Sequence, residues 1–345
     1  MPRPLGAAVA PPAAGRNLKL FVLGDWGRDG TQYQRHVAQL MDYHARHFGC
    51  DLVVTTGDNF YSFGVASSRD PQWRTSYEAI YSPELRARPW FPIAGNHDWG
   101  GSLWAQLDRT GRDGGGTGGW HMPWLWYDIP GSRFGRPDLH FFFIDTTMWH
   151  GRENKVYRNC GQSLRDEDVV QQKKWLADAL RASCAPTKMV FGHHPIYLAS
   201  TKSYMADLNA LMIEAQVSAY VFGHKHCLYH VRDAQLDHIC SGGGSEERVE
   251  YRGPPPLDCA TAGSCPTPRL ERYLERAGFA IFDIGPDAME FRFVDRDGIV
   301  TPPVSIRSRG NHLLGCSGAL PVPAEVQRER SRASARTALP CASLF

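Results

Sequence analysis

Asp51-Leu52-Val53-Val54-Thr55-Thr56-Gly57-Asp58-Asn59-Phe60-Tyr61 is the stretch on which the fold turns. Its apolar, β-branched first half reads as a short buried strand. Gly57-Asp58 ends that strand and sets a carboxylate at its C-terminal edge. Open α/β sheets place ligands at that edge. The same strand-then-glycine pattern recurs at Gly24-Asp25, Gly95-Asn96-His97-Asp98, Gly192-His193-His194 and Gly223-His224-Lys225-His226. Each repeat delivers Asp, Asn or His, and the five together read as one site.

Outward from that stretch, Leu18 to Leu23 is a first buried strand. Tyr33, Val37, Leu40, Met41 and Phe48 recur at helical spacing, which predicts a helix over 31–48. A βαβ start follows, and hence a parallel pair. Further strands are expected at Trp90 to Ala94, Leu139 to Asp145, Lys188 to Phe191 and Val217 to Phe222, with helices over 73–81, 164–181 and 204–215. A hairpin turns about Asp233-Ala234. Residues 279–284 and 288–294 alternate apolar and polar, as antiparallel strands with one wet face do. The segment 247–276, rich in Pro, Cys and Arg, reads as irregular.

From Gly111 to Gly119 six of nine residues are glycine, a loop rather than regular structure. It lacks the Gly-Lys-Ser/Thr ending of a P-loop. It reads as a lid or a surface insertion. The expected organisation is a disordered arm over 1–17, one catalytic domain over 18–306 and a disordered tail over 307–345.

Among the 345 residues, 42% are hydrophobic and 21% charged, with a formal net charge of +2. That balance suits a soluble globular chain and supplies no electrostatic pull toward nucleic acid or a membrane. The prolines at 2, 4, 11 and 12 break any signal-like apolar run, and no Asn-x-Ser/Thr sequon occurs. Nine cysteines is an odd number. Cys227 and Cys240 flank the hairpin and could face each other, and Cys259 and Cys265 bracket a short loop; disulfides and buried thiols both fit.

The five clusters offer carboxylate, amide, imidazole and phenol donors, and no thiolate. That set suits Fe, Mn, Zn or Mg rather than copper(I) or an iron–sulfur cluster. Seven candidates, Asp25, Asp58, Tyr61, Asn96, His193, His224 and His226, are too many for one ion. They suffice for two that share a carboxylate, and two metals about 3.5–4 Å apart clamp an in-line phosphoryl displacement.

The ordered set GD…GDNFY…GNHD…GHH…GHKH resembles the calcineurin-like metallophosphoesterases, and within them the small purple acid phosphatases of the tartrate-resistant (uteroferrin) type. The resemblance covers roughly residues 18–300. It implies a four-layer α/β/β/α sandwich with two mixed sheets. It puts Asp25, Tyr61 and His226 on a ferric ion, Asn96, His193 and His224 on a divalent ion (Fe(II), Zn or Mn), and Asp58 between them. The first motif is Asp25-Trp26-Gly27 where most of the superfamily has Asp-x-His, and Tyr61 stands in for the missing imidazole. A phenolate is hard and anionic, which favours Fe(III).

The resemblance further implies an acid phosphatase acting on aryl phosphates, nucleotides and phosphoproteins, as a monomer that is secreted or lysosome-like. His97 would hydrogen-bond the phosphate or protonate the leaving oxygen, with Asp98 as its nearby orienting partner. Zinc brings bound water to a pKa of ~7, and a trivalent ion would lower it further. Hydroxide would then persist in acid and attack directly. Animal members carry a histidine nine residues after His193; here Lys202 occupies that place and leaves the pH optimum open. His194 is expected behind the ligands or facing solvent.

Three alternatives remain from the sequence. One is a Mn- or Zn-dependent phosphodiesterase or nucleotide hydrolase, which would be colourless. Another is a binding protein that keeps the fold without turnover. The third is peroxide chemistry at a di-iron pair as a side activity.

Overall fold

The computed structural model describes residues 16–110, 119–150, 166–197, 205–233, 236–246, 268–286 and 288–309. Residues 1–15 of the N-terminal arm, the Gly111–Gly119 loop apart from its last residue, Lys202, Cys259, Cys265 and the tail beyond 309 lie outside these residues.

Two seven-stranded sheets form the centre. In the first, strands β1 (Leu18–Leu23), β2 (Leu52–Thr55), β3 (Pro89–Pro92) and β4 (Gly119–Trp120) run parallel. Three antiparallel strands extend it from β1: β12 (Gly278–Ile284), β13 (Ala288–Asp295) and β14 (Val304–Arg307). In the second, β6 (Leu139–Phe143), β7 (Thr187–Phe191), β8 (Ala219–Phe222) and β10 (Asp237–Ser241) are parallel. There β5 (Tyr127–Pro130), β9 (Leu228–Arg232) and β11 (Arg269–Leu274) pair antiparallel. Both sheets are mixed, as the resemblance implied.

Residue parity along each strand sorts the core into two layers, because successive side chains leave a strand on opposite faces. Leu20, Val22, Val54, Phe141, Phe143, Met189, Phe191, Val221 and Phe282 meet between the sheets. Phe21, Leu23, Val53, Phe142, Val190, Tyr220 and Phe222 turn outward. On the first sheet this outer layer takes Val37 and Met41 of helix α1 (Gln32–Phe48). On the second it takes Leu176 and Leu180 of α4 (Asp166–Ala182) and Leu208 and Met212 of α5 (Ala206–Glu214). Shorter helices α2 (Pro83–Arg86) and α3 (Leu103–Arg109) flank β3 in sequence, and 73–78 forms a π-helical turn.

Two expectations need correction. β12 lies between β1 and β13 and is buried on both faces, so only β13 keeps the alternation expected of both. β11 is a strand, with a register shift between Leu270 and Arg272, inside the segment expected to be irregular; its charged sequence RLERYL suits its place at the sheet edge. Of the two readings left open for Cys227 and Cys240, the structure shows buried thiols: they are near neighbours and both are free.

Candidate metal centre

Parallel strands end on the same side, so the turns after β1, β2, β3, β7 and β8 bring all five motifs to one rim. Asp25, Asp58 and His224 take left-handed backbone conformations there, with φ of 59°, 50° and 67°. Such strain in a non-glycine residue survives only where the surroundings hold it, and it concentrates at functional sites. Gly57, at φ 90°, sits so close to the third turn that a Cβ would lie 2.7 Å from both the Gly95 nitrogen and His193 Nδ1.

The seven residues singled out from sequence converge. Tyr61 Oη lies 3.0 Å from Asp25 Oδ1, 2.9 Å from Asp58 Oδ2 and 3.1 Å from His226 Nε2. His193 Nε2 is 3.4 Å from Asp58 Oδ2 and 3.0 Å from Asn96 Oδ1. His224 Nδ1 is 3.0 Å from the same Asn96 oxygen and 3.3 Å from His193 Nε2. Asp58 is therefore common to both groups, with Asp25, Tyr61 and His226 on one side and Asn96, His193 and His224 on the other.

Backbone carbonyls and one hydroxyl aim these donors. His193 Nδ1–H donates to Thr56 O at 2.8 Å, which turns Nε2 toward Asp58. Thr146 Oγ1 accepts the N–H of His193 at 3.1 Å and of His194 at 2.9 Å. Asp25 Oδ2 accepts the His224 N–H at 2.8 Å, and Asp58 Oδ1 accepts the His97 N–H at 2.8 Å.

His97 Nδ1–H donates to Ser62 O at 2.7 Å, which leaves Nε2 4.0 Å from Asp58 Oδ2. Asp98 is fully buried, and its carboxylate accepts the backbone N–H groups of Asn59 and Gly95 at 3.0 and 2.8 Å and Gln106 Nε2–H at 2.8 Å. It ties the GDNFY turn to the GNHD turn and so acts on His97 through the loop. His194 is buried, its Nδ1 2.9 Å from Thr146 Oγ1, and one of its ring nitrogens lies within 4.8 Å of ring nitrogens of His193 and His224.

Position 27 cannot furnish the imidazole of an Asp-x-His motif, because a Cβ on Gly27 would collide with the Asn59 carbonyl. The Tyr61 phenol oxygen instead stands among Asp25, Asp58 and His226.

Charges within the cluster are badly matched unless cations lie among them. Burial first, then Asp25 and Asp58, push the Tyr61 phenol well above its usual range, opposed by Arg28. That single phenol proton faces three acceptors. Burial raises the cost of charge on Asp58, yet His193 and His97 hold it well below the usual carboxylate range. His193 is pushed up to about 10, burial opposing and Asp58 and Asp25 prevailing. Burial and the neighbouring histidines hold His224 well below its usual value. Desolvation and the Asp58 charge push Asp98 up to about 7. A carboxylate-rich, imidazole-rich cluster with too few protons is one that two metal ions fit.

Two contributors were not read from sequence. Arg28 lies with its guanidinium carbon 3.5 Å from the Tyr61 ring centroid, and Glu246 Oε2 lies 3.1 Å from His226 Nδ1. Arg28 directly follows the first motif and could have been suspected. Glu246 is distant in sequence and carries no motif.

Residues 18–228 match the family model of the calcineurin-like phosphoesterases. Purple acid phosphatase 3 of Arabidopsis thaliana is 33% identical over 240 residues, which span 66% of this chain and 63% of that protein. Tartrate-resistant acid phosphatase type 5 of Rattus norvegicus is 29% identical over 258 residues, spanning 70% and 76%. Among solved structures, GAP50, the anchor in the inner membrane complex of Plasmodium, superposes with a TM-score of 0.67 at 23% identity, over 86% of this chain and 91% of that one. That structural likeness speaks to the fold alone.

Proposed function

This chain belongs to the calcineurin-like metallophosphoesterases, as a member of purple acid phosphatase type, and on that premise we propose that it is an acid phosphatase hydrolysing phosphate monoesters at an Fe(III)–M(II) centre. The observation that carries the reading is the Tyr61 oxygen at the meeting point of Asp25, Asp58 and His226, opposite a Gly27 that leaves no room for a histidine.

In this reading Asp25, Tyr61 and His226 would hold the ferric ion, Asn96, His193 and His224 would hold the divalent one, and Asp58 would be shared. When bound, the ions supply Lewis acidity, acidifying a water and neutralising the phosphate oxygens. The chain's own residues do the rest. Ser62 O holds the His97 Nδ1 proton, so Nε2 is the atom that carries the proton for the leaving oxygen. Thr56 O and Thr146 Oγ1 fix the His193 ring and backbone so that its Nε2 stays on the centre. The substrates are small monoesters such as aryl phosphates and nucleotides, hydrolysed in a single displacement without a phosphoenzyme.

Purified protein should contain iron, absorb visible light and turn over an aryl phosphate in mild acid, and Asp58→Ala should abolish turnover. A colourless, iron-free but active protein would instead identify the Mn- or Zn-dependent phosphodiesterase or nucleotide hydrolase. Retention of configuration at a chiral phosphorus would exclude single displacement.

A further inference from the structure

Four side chains close a ring around the first ion's proposed ligands. The Arg28 guanidinium lies over Tyr61, 3.5 Å from the ring centroid, and its Nη2 is 2.7 Å from Glu246 Oε2. The same Glu246 oxygen is 3.1 Å from His226 Nδ1, and His226 Nε2 is 3.1 Å from Tyr61 Oη. Tyr61 and His226 point their donor atoms into the centre, and Arg28 and Glu246 meet them from behind. We propose that Arg28, held in place by Glu246, is a positioning residue that sets the charge-transfer energy and reduction potential of the phenolate-bound ferric ion. This rests on the preceding reading of Tyr61 as a ligand of Fe(III).

The argument is electrostatic. A guanidinium stacks flat on an aromatic face and is attracted to it, and the attraction grows when the ring carries the negative charge of a phenolate. Visible absorption by such a pair moves an electron from the ring toward the metal. Arg28 sits against the ring, at the donor end of that transfer, so its positive charge stabilises the electron where it starts and raises the transition energy. The same charge favours the reduced ion and raises the potential. At 20% exposure the Arg28 side chain is shielded enough for this field to act with limited screening.

Glu246 has two partners and so two effects. It neutralises part of the guanidinium charge while fixing where the rest lies. Its Oε2 also lies 3.1 Å from His226 Nδ1, where its negative charge favours a proton on that nitrogen and so leaves Nε2 to the centre, in the manner of a carboxylate behind a metal-binding histidine.

Two variants of the iron-loaded protein separate charge from packing. Arg28→Met keeps the length of the side chain and removes its charge; Arg28→Lys keeps the charge and loses the planar stack. Visible spectra and a redox titration are the readouts. The visible band of Arg28→Met should move to longer wavelength and its ferric state should become harder to reduce, with Arg28→Lys shifted less. Glu246→Gln should weaken iron binding by about 10–100-fold in a competition with chelator.

A band unmoved in Arg28→Met, or equal shifts in the Met and Lys variants, would overturn the role given to Arg28. Unchanged iron affinity in Glu246→Gln would overturn the role given to Glu246. A colourless wild type would strike the ferric reading itself, so the two failures are told apart before any variant is made.

Discussion

The phenol oxygen of Tyr61 lies 2.9 Å from Asp58 Oδ2, three residues back along the same loop. The left-handed turn at Asp58 makes that approach possible, since an extended backbone would carry the two side chains apart. Tyr61→Phe keeps the ring beneath Arg28 and removes only the donor atom. The variant should fold, lose the visible band and bind iron at the first site at least about tenfold more weakly, because even an outer partner of a ligand costs that much. Metal content and absorbance check it, and a variant that keeps both colour and iron would refute the ligand role.

Asp98 gives a different signature. Its buried carboxylate satisfies backbone N–H groups of both Asn59 and Gly95 and the Gln106 amide. Asp98→Ala leaves those donors buried without an acceptor, which should cost about 3 kcal/mol or more of stability. Denaturant unfolding of the metal-free variant would show it, with a near-normal midpoint counting against the loop-tie role.

His97 should behave in the opposite way, affecting turnover with little effect on stability or metal content. His97→Asn should lower kcat by about 10²–10⁴-fold. The loss should be greater for alkyl phosphates than for nitrophenyl phosphate, whose leaving group departs without a proton. Equal losses on the two substrates would argue against His97 Nε2 as the proton donor.

Much of this architecture was legible because buried parallel strands are written as short apolar runs. Glycine-led turns hold the polar residues at their ends, as Val53-Val54 before Gly57-Asp58 and Val190-Phe191 before Gly192-His193 show. Periodicity misled at β12, which carries Asp283 yet packs Phe279 and Ile281 into the outer layer and Ala280, Phe282 and Ile284 between the sheets, so that both of its faces are covered. β11 was hidden by its charges, which edge strands tolerate. The convergence of the seven donors followed from strand polarity. The clamp on Tyr61 and His226 did not, because Arg28 and Glu246 meet only through the tertiary fold, and no spacing rule links them. Asp98 was recognised as important, but which atoms its carboxylate would serve depended on how two loops pack.

Chelation should expose a pH dependence that the metal hides. In the metal-free protein His193 has a pKa of about 10, above its ordinary 6.5, and its stabilising charge is therefore fully present below pH 6.5 and lost as pH rises through 10. Its partner Asp58 is depressed below 3.8, so that contribution is present above pH 3.8 and lost on stronger acidification. Melting temperatures of the chelated protein should fall from pH 6.5 toward 10. The metal-loaded protein, with no proton left on His193 Nε2, should lack this decline. Parallel curves for the two forms would refute the Asp58–His193 ion pair.

Far from the centre, acid stability should depend on Asp237, the first residue of β10 and hence at the opposite end of the second sheet from His224. Burial disfavours its charge, but a 2.8 Å contact with His230 Nε2 and a 2.7 Å bond from Arg232 Nε hold it below 3.8. A depressed carboxylate contributes stability above its unfolded pKa and loses it as pH falls through the folded value. Asp237→Ala should therefore cost about 1–3 kcal/mol at pH 7, since it leaves the buried His230 and the part-exposed Arg232 and Arg309 without their carboxylate partner. It should also flatten the fall in stability below pH 4, while the activity of each folded molecule stays the same. Unfolding curves at pH 7 and pH 3 test the claim, and a variant that loses as much stability at pH 3 as at pH 7 would show that packing, rather than charge, is what Asp237 supplies.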